Sequence, residues 1–140
     1  MNSIKNKKIL LIGGSGFIGL HLAKKLSEFN ADITMLCKNP DKIKKLDFSK
    51  KISILKGDVT DYKTVEKSIK NKYVIINLAS IVYANSNFDP YIDLETNCKG
   101  QLNILEARKK SNLNSKYISI GSRAQFGSIY QSRTPSIMEA

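Results

Sequence analysis

The stretch KKILLIGGSGFIGLHLAKKL, residues 7–26, places half of the chain's 8 glycines in one short turn: Gly13, Gly14, Gly16 and Gly19. Before the turn, the run from Lys8 to Ile12 has the length and the continuous apolar character of a strand buried on both faces of a parallel sheet. After the turn, apolar side chains recur at helical spacing from Phe17 to Phe29. Glycine adopts backbone angles that other residues avoid, and it lets another group touch the backbone. The pattern therefore predicts a tight turn between a buried strand and an amphipathic helix.

The same alternation of apolar runs and helical patterns continues along the chain. Further strands are predicted at 32–36, 52–55, 73–78 and 117–120. Further helices are predicted at 41–46, from a cap at Thr60 or Asp61 to about 69, and from Pro90 to about 110. The last helix is expected to carry its apolar side chains near one face: Leu94, Cys98, Leu102, Leu105 and Ala107. Five strands alternating with helices predict an α/β fold, a doubly wound parallel sheet of Rossmann type with three α/β/α layers.

The composition predicts one globular domain. The chain has 140 residues, of which 41% are hydrophobic and 25% charged, and no apolar run approaches the ~18 residues of a membrane span. The apolar run near the start is too short for a signal peptide, so we expect a cytoplasmic protein with no membrane partner. Cys37 and Cys98 lack the paired spacing of a zinc site or a disulfide framework. We expect two free thiols and no metal site.

The formal net charge of +11 raises the question of a polyanionic partner. The basic residues are spread through the chain without interleaved aromatic side chains, and no recognition motif of a nucleic-acid module occurs. We therefore predict a solvated lysine-rich surface and no nucleic-acid partner. The alternative, a basic scaffold for nucleic acid, predicts steeply salt-dependent binding of oligonucleotides. No acidic residue precedes Glu28, so the glycine-rich turn lies in a positive field that suits a phosphate.

The glycines fit two motif frames, Gly14-x-Gly16-x-x-Gly19 and Gly13-x-x-Gly16-x-x-Gly19. Either frame alone is a weak signal, because glycine-rich turns also occur without a ligand. A strand before the turn and a helix after it are the context in which a pyrophosphate approaches the helix N-terminus. This context favours dinucleotide binding over a purely structural turn.

Five short motifs follow one another between about residues 8 and 127: GGSGFIG, GDVTD, NLAS, NCKGQLNILEA and YISIGSRAQFG. In this order they resemble the extended short-chain dehydrogenase/reductase family, the NAD(P)-dependent sugar-nucleotide epimerases, dehydratases and reductases. The resemblance implies hydride transfer at a sugar carbon, a nucleotide-sugar substrate and, as one arrangement, a homodimer.

The resemblance also assigns cofactor-binding residues. It implies that the pyrophosphate is held by Gly13, Gly16, Gly19 and the backbone around Phe17 and Ile18. It implies contacts with the adenine ring and the two riboses by Asp58, Val59, Leu78, Ala79 and Ser80. It further implies that Asn97 holds backbone near the active site. Asp58 has the alternative role of capping a turn, and Asn103 and His21 are expected to face solvent.

The end of the second predicted strand bears on the choice of cofactor. NAD-selecting chains usually carry a carboxylate here for the ribose 2′-hydroxyl, whereas a cation accommodates the 2′-phosphate of NADP. In this chain Cys37 stands at that position and Lys38 follows. The pattern favours NADP over NAD, because a carboxylate would repel the 2′-phosphate. In the competing interpretation, Lys38 points to solvent and Asp41 contacts the ribose.

Catalysis is only partly represented. The resemblance implies a tyrosine as general acid/base, a lysine four residues later and a serine or threonine on the reacting oxygen. Ser122, four positions before Phe126, matches the hydroxyl residue, with backbone satisfaction at a strand end as its alternative role. Arg123 and Gln125 depart from the small and apolar residues usual there. None of the 6 tyrosines has a lysine four positions later.

These observations leave two interpretations open. In the first, residues 1–140 are the NAD(P)-binding domain of a longer reductase, epimerase or dehydratase, and the catalytic Tyr/Lys helix and the substrate domain follow beyond Ala140. In the second, the chain is a non-catalytic NADP(H)-binding or redox-sensing protein. The tail resembles the loop that leads to the Tyr/Lys pair, which favours the first interpretation.

Overall fold

The computed structural model describes residues 4–44, 52–81 and 89–122 of the chain. Five strands and the helices between them alternate through these residues. The strands are β1 (Lys8–Ile12), β2 (Asp32–Cys37), β3 (Ile52–Lys56), β4 (Val74–Asn77) and β5 (Lys116–Ser119). The helices are α1 (Phe17–Glu28), α2 (Asp41–Lys44), α3 (Tyr62–Ile69), α4 (Pro90–Asp93) and α5 (Gly100–Ser111), with a π-helical segment at Leu94–Lys99 between α4 and α5.

The strands form one parallel sheet in the order β3-β2-β1-β4-β5. The chain winds outward from β1 through β2 to β3, and then returns to the other side of β1 to form β4 and β5. The direction of winding therefore reverses at β1. In open α/β sheets of this kind, ligands bind outside the carboxyl ends of the strands at the point of reversal. The predicted doubly wound parallel sheet is confirmed.

Strand β1 lies at the centre of the sheet because its apolar side chains serve two cores. Ile9 and Leu11 belong to the core on one face, together with Ala23 of α1. Leu10 and Ile12 belong to the core on the opposite face, together with side chains of α3 and α5. All four apolar side chains of β1 are at most 2% exposed. Burial on both faces explains why this strand is a continuous apolar run rather than an alternating one.

Most predicted elements agree with the structure to within two residues, and β1 agrees in full. Asp61 rather than Thr60 caps α3: its side chain accepts a hydrogen bond from the Lys63 amide at 3.1 Å. The short helix predicted at 41–46 begins at Asp41, and its last two predicted residues lie outside the described part of the chain.

The prediction for the helix from Pro90 was wrong in two respects. The structure divides it at the π-helical segment, and Leu94, Leu102 and Leu105 are exposed, as is Cys98. Of the predicted apolar face only Ala107 is buried, and it packs together with Thr96, Gly100 and Ile104. A Cβ on Gly100 would lie 2.7 Å from Val59 Cγ1, so this face packs too closely for leucine. In the described ranges, no helix is long and apolar enough to cross a membrane.

Candidate functional site

The glycine-rich turn between β1 and α1 forms the floor of a crevice at the carboxyl edge of the sheet. Gly13 has a φ of 75°, a conformation that glycine adopts readily. A Cβ on Gly13 would lie 2.6 Å from the Ala79 amide nitrogen, and one on Gly14 would lie 2.7 Å from Met35 Cε. Gly19 packs against the backbone of Gly14 in the same way. Backbone packing requires glycine at Gly13 and Gly19, whereas at Gly14 the nearest atom belongs to the end of the flexible Met35 side chain.

Gly16 differs from the other three glycines. Its φ of −75° is open to any residue, and the nearest atom to a Cβ at this position would be Gly13 O at 3.5 Å. The folded chain therefore does not need glycine here. Gly16 is also the N-cap of α1, where no side chain caps the helix and no acidic residue occupies the first turn. A bare helix N-terminus with space before it is suited to an anion.

Two cavities open from this turn. The smaller, of about 540 Å³, lies at the ends of β1, β2 and β3 and is lined in part by Leu36, Lys38 and Val59. The larger, of about 880 Å³, lies at the ends of β1, β4 and β5 and is lined in part by Asn97 and Ser122. Both volumes fall in the range of small-molecule sites. The cavities share six lining residues: Gly13, Gly16, Leu78, Ala79, Ser80 and Ile81.

Lys38 and Asp58 form an ion pair at the mouth of the smaller cavity, with 2.8 Å between Lys38 Nζ and Asp58 Oδ2. Asp58 Oδ1 accepts a hydrogen bond from the Thr60 amide at 2.9 Å, which confirms the turn-capping interpretation. Burial raises the pKa of Asp58, but the hydrogen bonds from Lys38 and Thr60 outweigh it and hold the pKa below its ordinary value. Asp58 is therefore ionised at neutral pH and orients the Lys38 ammonium.

Cys37 occupies the position at the end of β2 where NAD-selecting chains usually carry a carboxylate. Its side chain is 3% exposed and lines the smaller cavity, as does Ser15 of the glycine-rich turn. Burial raises the pKa of the Cys37 thiol and outweighs the opposing influence of the Ser15 hydroxyl. The thiol is consequently neutral at physiological pH. Asp41 begins α2 and is not among the residues that line either cavity.

Residues 78–81 separate the two cavities and are held at both ends by amide side chains. Asn77 Oδ1 accepts a hydrogen bond from the Ala79 amide at 3.1 Å. At the other end, the Asn97 side chain bonds both the N–H and the C=O of Ile81, each at 2.9 Å. Asn97 lies in the π-helical segment, so the wide turn places this side chain beside Ile81.

The predicted site residues converge on the two cavities. The smaller is lined by Gly13, Gly16, Lys38, Val59, Leu78, Ala79 and Ser80. The larger is lined by Gly13, Gly16, Phe17, Ile18, Gly19, Leu78, Ala79, Ser80, Asn97 and Ser122. Asp58 lines neither and acts through Lys38. The roles that the resemblance gives these residues stay predictions.

Sequence reasoning also missed residues of the site. Ser15, Thr96, Asn77 and Gln101 line the cavities, and none of them was singled out. Asn103 was expected to face solvent, but its Nδ2 donates to Val59 O and Thr60 O, each at 3.0 Å. A periodic pattern cannot reveal such bonds, since they join residues over forty positions apart. His21 is exposed, as expected, and its ring lies 4.4 Å from that of Phe17.

Residues 9–138 match the model of the NAD dependent epimerase/dehydratase family. The chain belongs to this family. The NAD dependence that defines the family agrees with the dinucleotide site expected at the glycine-rich turn. The predicted resemblance is confirmed, and the non-catalytic alternative is not favoured.

Two relatives and one solved structure illustrate the family. A putative UDP-glucose 4-epimerase of Methanocaldococcus jannaschii is 33% identical over 121 residues, covering 85% of this chain and 39% of that protein. A UDP-N-acetyl-alpha-D-glucosaminuronate decarboxylase of Bacillus cytotoxicus is 31% identical over 108 residues, covering 74% and 33%. The enzyme WbmF of Bordetella bronchiseptica, solved with NAD+ and UDP, has the same fold, with a TM-score of 0.74 at 21% identity over 91% of this chain and 42% of that one. The chain thus spans well under half the length of these proteins.

Proposed function

We propose that this chain is the dinucleotide-binding part of an NAD(P)-dependent enzyme that acts on a nucleotide sugar. The observation that carries the proposal is the crevice itself: two ligand-sized cavities meet at Gly16, in front of the bare N-terminus of α1. One dinucleotide lying across the crevice would place its two halves in the two cavities and its pyrophosphate at the turn. The relatives named as a UDP-glucose epimerase and a decarboxylase support the class of substrate.

The residues of the crevice fit such a cofactor. The space in front of Gly16 admits close approach of a phosphate to the backbone, and the first turn of α1 carries no competing carboxylate. Leu36 and Val59 give the smaller cavity apolar walls of the kind that an adenine ring requires. The nicotinamide half would occupy the larger cavity, where the bound cofactor supplies hydride transfer.

In the larger cavity the protein supplies a hydroxyl group. Ser122 follows β5 and lines this cavity, so we assign it the hydrogen bond to the reacting oxygen of the substrate. Because this role concerns substrate rather than cofactor, Ser122→Ala should leave the affinity for NADH within about twofold. No tyrosine of this chain has a lysine four positions later, so no general acid/base pair is assigned within it.

Within the proposed function we infer a preference for NADP(H) over NAD(H). Lys38 lines the smaller cavity, its ammonium is held by Asp58, and the neutral Cys37 thiol replaces the carboxylate that would repel a 2′-phosphate. Asp58 lowers this preference in part, because it shares the Lys38 charge. Because the Lys38–Asp58 pair carries no net charge, the preference depends on the Lys38 ammonium as a donor and on the absence of a carboxylate at the Cys37 position.

Calorimetric titration of the chain with NADPH and NADH tests the proposed function and the cofactor preference. The wild type should bind both, NADPH more tightly. Lys38→Gln should lower the affinity for NADPH about tenfold and leave the affinity for NADH nearly unchanged, since only NADPH carries the 2′-phosphate that Lys38 would contact. Lys25→Gln is the matched control: it removes the same charge from the exposed Lys25–Glu28 pair on α1, away from both cavities.

The outcomes separate the two statements. If neither dinucleotide binds, the proposed function is wrong. If NADH binds more tightly than NADPH, only the preference is wrong, and a carboxylate such as Asp41 would then be the residue to test at the ribose. An equal loss of NADPH affinity in both lysine variants would mean that Lys38 acts only through the net charge of the chain and not through a contact with the phosphate.

A further inference from the structure

Three side chains from three elements meet beside the larger cavity. Asn77, the last residue of β4, is 6% exposed, and its Nδ2 donates to Gln101 Oε1 at 2.6 Å. The hydroxyl of Tyr117 in β5 donates to the same Gln101 oxygen at 2.9 Å. A single acceptor on α5 therefore joins the ends of the two strands that border this cavity. We refer to Asn77, Gln101 and Tyr117 as the amide network.

The amide network is connected to the segment that separates the two cavities. The Asn77 carboxamide that donates to Gln101 also accepts from the Ala79 amide through its oxygen. The orientation of the Asn77 side chain, and with it the position of the Ala79 backbone, thus depends on Gln101. Gln101 lies one helical turn after Asn97, which holds Ile81 at the far end of the same segment. Residues 78–81, the dividing segment, are therefore bonded directly by Asn97 at one end and, through Asn77, depend on Gln101 at the other.

The amide network also acts on the opposite wall of the larger cavity. Through its hydroxyl, Tyr117 fixes β5 against α5, and the residues that follow, 119–122, line the larger cavity. Asn77 and Gln101 line the larger cavity as well, and no member of the network lines the smaller one. The network is thus asymmetric with respect to the two halves of a bound dinucleotide.

We propose that Gln101 is a positioning residue for the nicotinamide half of the cofactor. It accepts hydrogen bonds from Asn77 and Tyr117, and it thereby sets the distance between the dividing segment and the end of β5. The adenine half, in the smaller cavity, does not depend on it. This inference rests on the proposed function, since it presumes a dinucleotide lying across both cavities.

The alternative is that the amide network only stabilises the fold, as buried polar networks often do. Loss of fold stability would weaken every ligand of the crevice by the same factor. Loss of positioning in the larger cavity would weaken only ligands that extend into it. ADP and NADH distinguish these effects, because ADP carries the adenine half and the diphosphate but no nicotinamide.

The experiment compares NADH and ADP binding by calorimetry in the wild type and in Tyr117→Phe, Gln101→Leu and Gln101→Glu. Tyr117→Phe removes a single hydroxyl and is the mildest change, whereas Gln101→Leu removes the shared acceptor. Gln101→Glu keeps an oxygen that can accept both hydrogen bonds. Tyr62→Phe is the matched control, because Tyr62 packs against the same core but is not a member of the network.

We expect Tyr117→Phe and Gln101→Leu to lower the affinity for NADH at least fivefold, while the affinity for ADP changes less than twofold. Gln101→Glu should restore most of the NADH affinity, and Tyr62→Phe should change neither ligand. Tyr117→Phe should have no further effect on NADH once Gln101 is leucine, because both changes interrupt the same network. An equal loss of NADH and ADP, or no loss in Tyr117→Phe, would overturn the inference and leave the proposed function intact. A wild-type chain that binds neither ligand would overturn both.

Discussion

Gly13 and Gly16 lie three positions apart in one turn, yet they are glycine for different physical reasons. At Gly13 the backbone angle is positive and the backbone of Ala79 occupies the place of a side chain. At Gly16 the angle is ordinary and the place of a side chain is open. The fold explains glycine at Gly13 but does not explain it at Gly16, where the proposed function assigns the open space to a phosphate.

This difference predicts that alanine at Gly13 lowers stability, whereas alanine at Gly16 lowers the affinity for a dinucleotide. Gly13→Ala should lower the free energy of unfolding by roughly 2–4 kcal/mol, because it combines an unfavourable φ with a backbone collision. Gly16→Ala should change that free energy by less than about 1 kcal/mol, since the loss of an N-cap glycine is offset by lower entropy of the unfolded chain. It should nevertheless weaken NADH at least tenfold, because a methyl group would occupy the phosphate position. Urea unfolding and calorimetry measure the two effects, and retention of full NADH affinity by Gly16→Ala would contradict the assignment.

The surroundings of Lys38 could be predicted only in part from the sequence. The cation at Lys38 and the missing carboxylate at Cys37 could be recognised locally, because they immediately follow the last apolar residues of a predicted strand. The partner of Lys38 could not, since Asp58 lies twenty positions later on another loop. Charge complementarity does not select one carboxylate among 12 acidic residues until the sheet order has brought two strand ends together.

At the scale of elements, α5 holds α3 and the following loop by amide side chains as well as by apolar contacts. Asn112, at the end of α5, donates from its Nδ2 to Ile69 O at 2.9 Å and to Lys72 O at 2.7 Å. These carbonyls lie at the C-terminal end of α3 and just beyond it, where helical partners are lacking. A residue at the end of one helix thereby completes the end of another.

We expect Asn112→Ala to lower the free energy of unfolding by about 1–3 kcal/mol, because Lys72 O loses its Asn112 donor and Ile69 O keeps only the 3.3 Å bond from the Lys72 amide. Asn114→Ala is the matched control: Asn114 is exposed in the turn before β5, and its removal should change stability by less than about 0.5 kcal/mol. Urea unfolding at neutral pH compares the two variants. Equal stabilities would mean that water replaces the Asn112 amide without cost.

The elements whose boundaries could be predicted are those that local forces define. Strand β1 is a buried apolar run between lysine and glycine, and Asp61 caps α3 through its own side chain. The π-helical segment at Leu94–Lys99 could not be predicted, because a wide turn is stabilised by contacts outside its own sequence, here the bonds from Asn97 to Ile81. The packed face of this helix was wrongly predicted for the same reason. Four apolar side chains suggested a core face: Leu94, Cys98, Leu102 and Leu105. The close approach of Val59 to Gly100 decides which face packs.

At the scale of the whole molecule, the order of the strands creates the crevice. The reversal of winding at β1 brings the ends of β2 and β4 to either side of the glycine-rich turn. Alternation of strands and helices was sufficient to predict this architecture, because parallel sheets with right-handed crossovers leave few other arrangements. The two cavities follow from the architecture, whereas their exact walls depend on side chains that meet only in the folded chain.

The net charge of +11 makes it necessary to separate a shaped site from general attraction of anions. A ligand that binds only the folded chain stabilises it by about 2.7 kcal/mol at a hundred times its dissociation constant. For a domain of this size, that corresponds to a rise of roughly 10 °C in the melting temperature. We expect NADPH at this concentration to produce such a rise, and we expect Gly16→Ala, with the same net charge, to lose about half of it or more at the same concentration, as a loss of affinity of tenfold or more requires.

Salt concentration distinguishes the two kinds of binding. Association driven by the lysine-rich surface falls steeply with ionic strength, because it depends on the release of counterions from a polyanion. Binding in the crevice, as proposed, would also use apolar walls and backbone amides. Most of the rise with NADPH should therefore persist at 0.3 M salt, where any effect of a short DNA oligonucleotide should vanish. Thermal unfolding of the wild type with each ligand, at low and high salt, provides the measurement. A rise with NADPH that disappears in parallel with that of the oligonucleotide would assign the binding to surface charge rather than to the crevice.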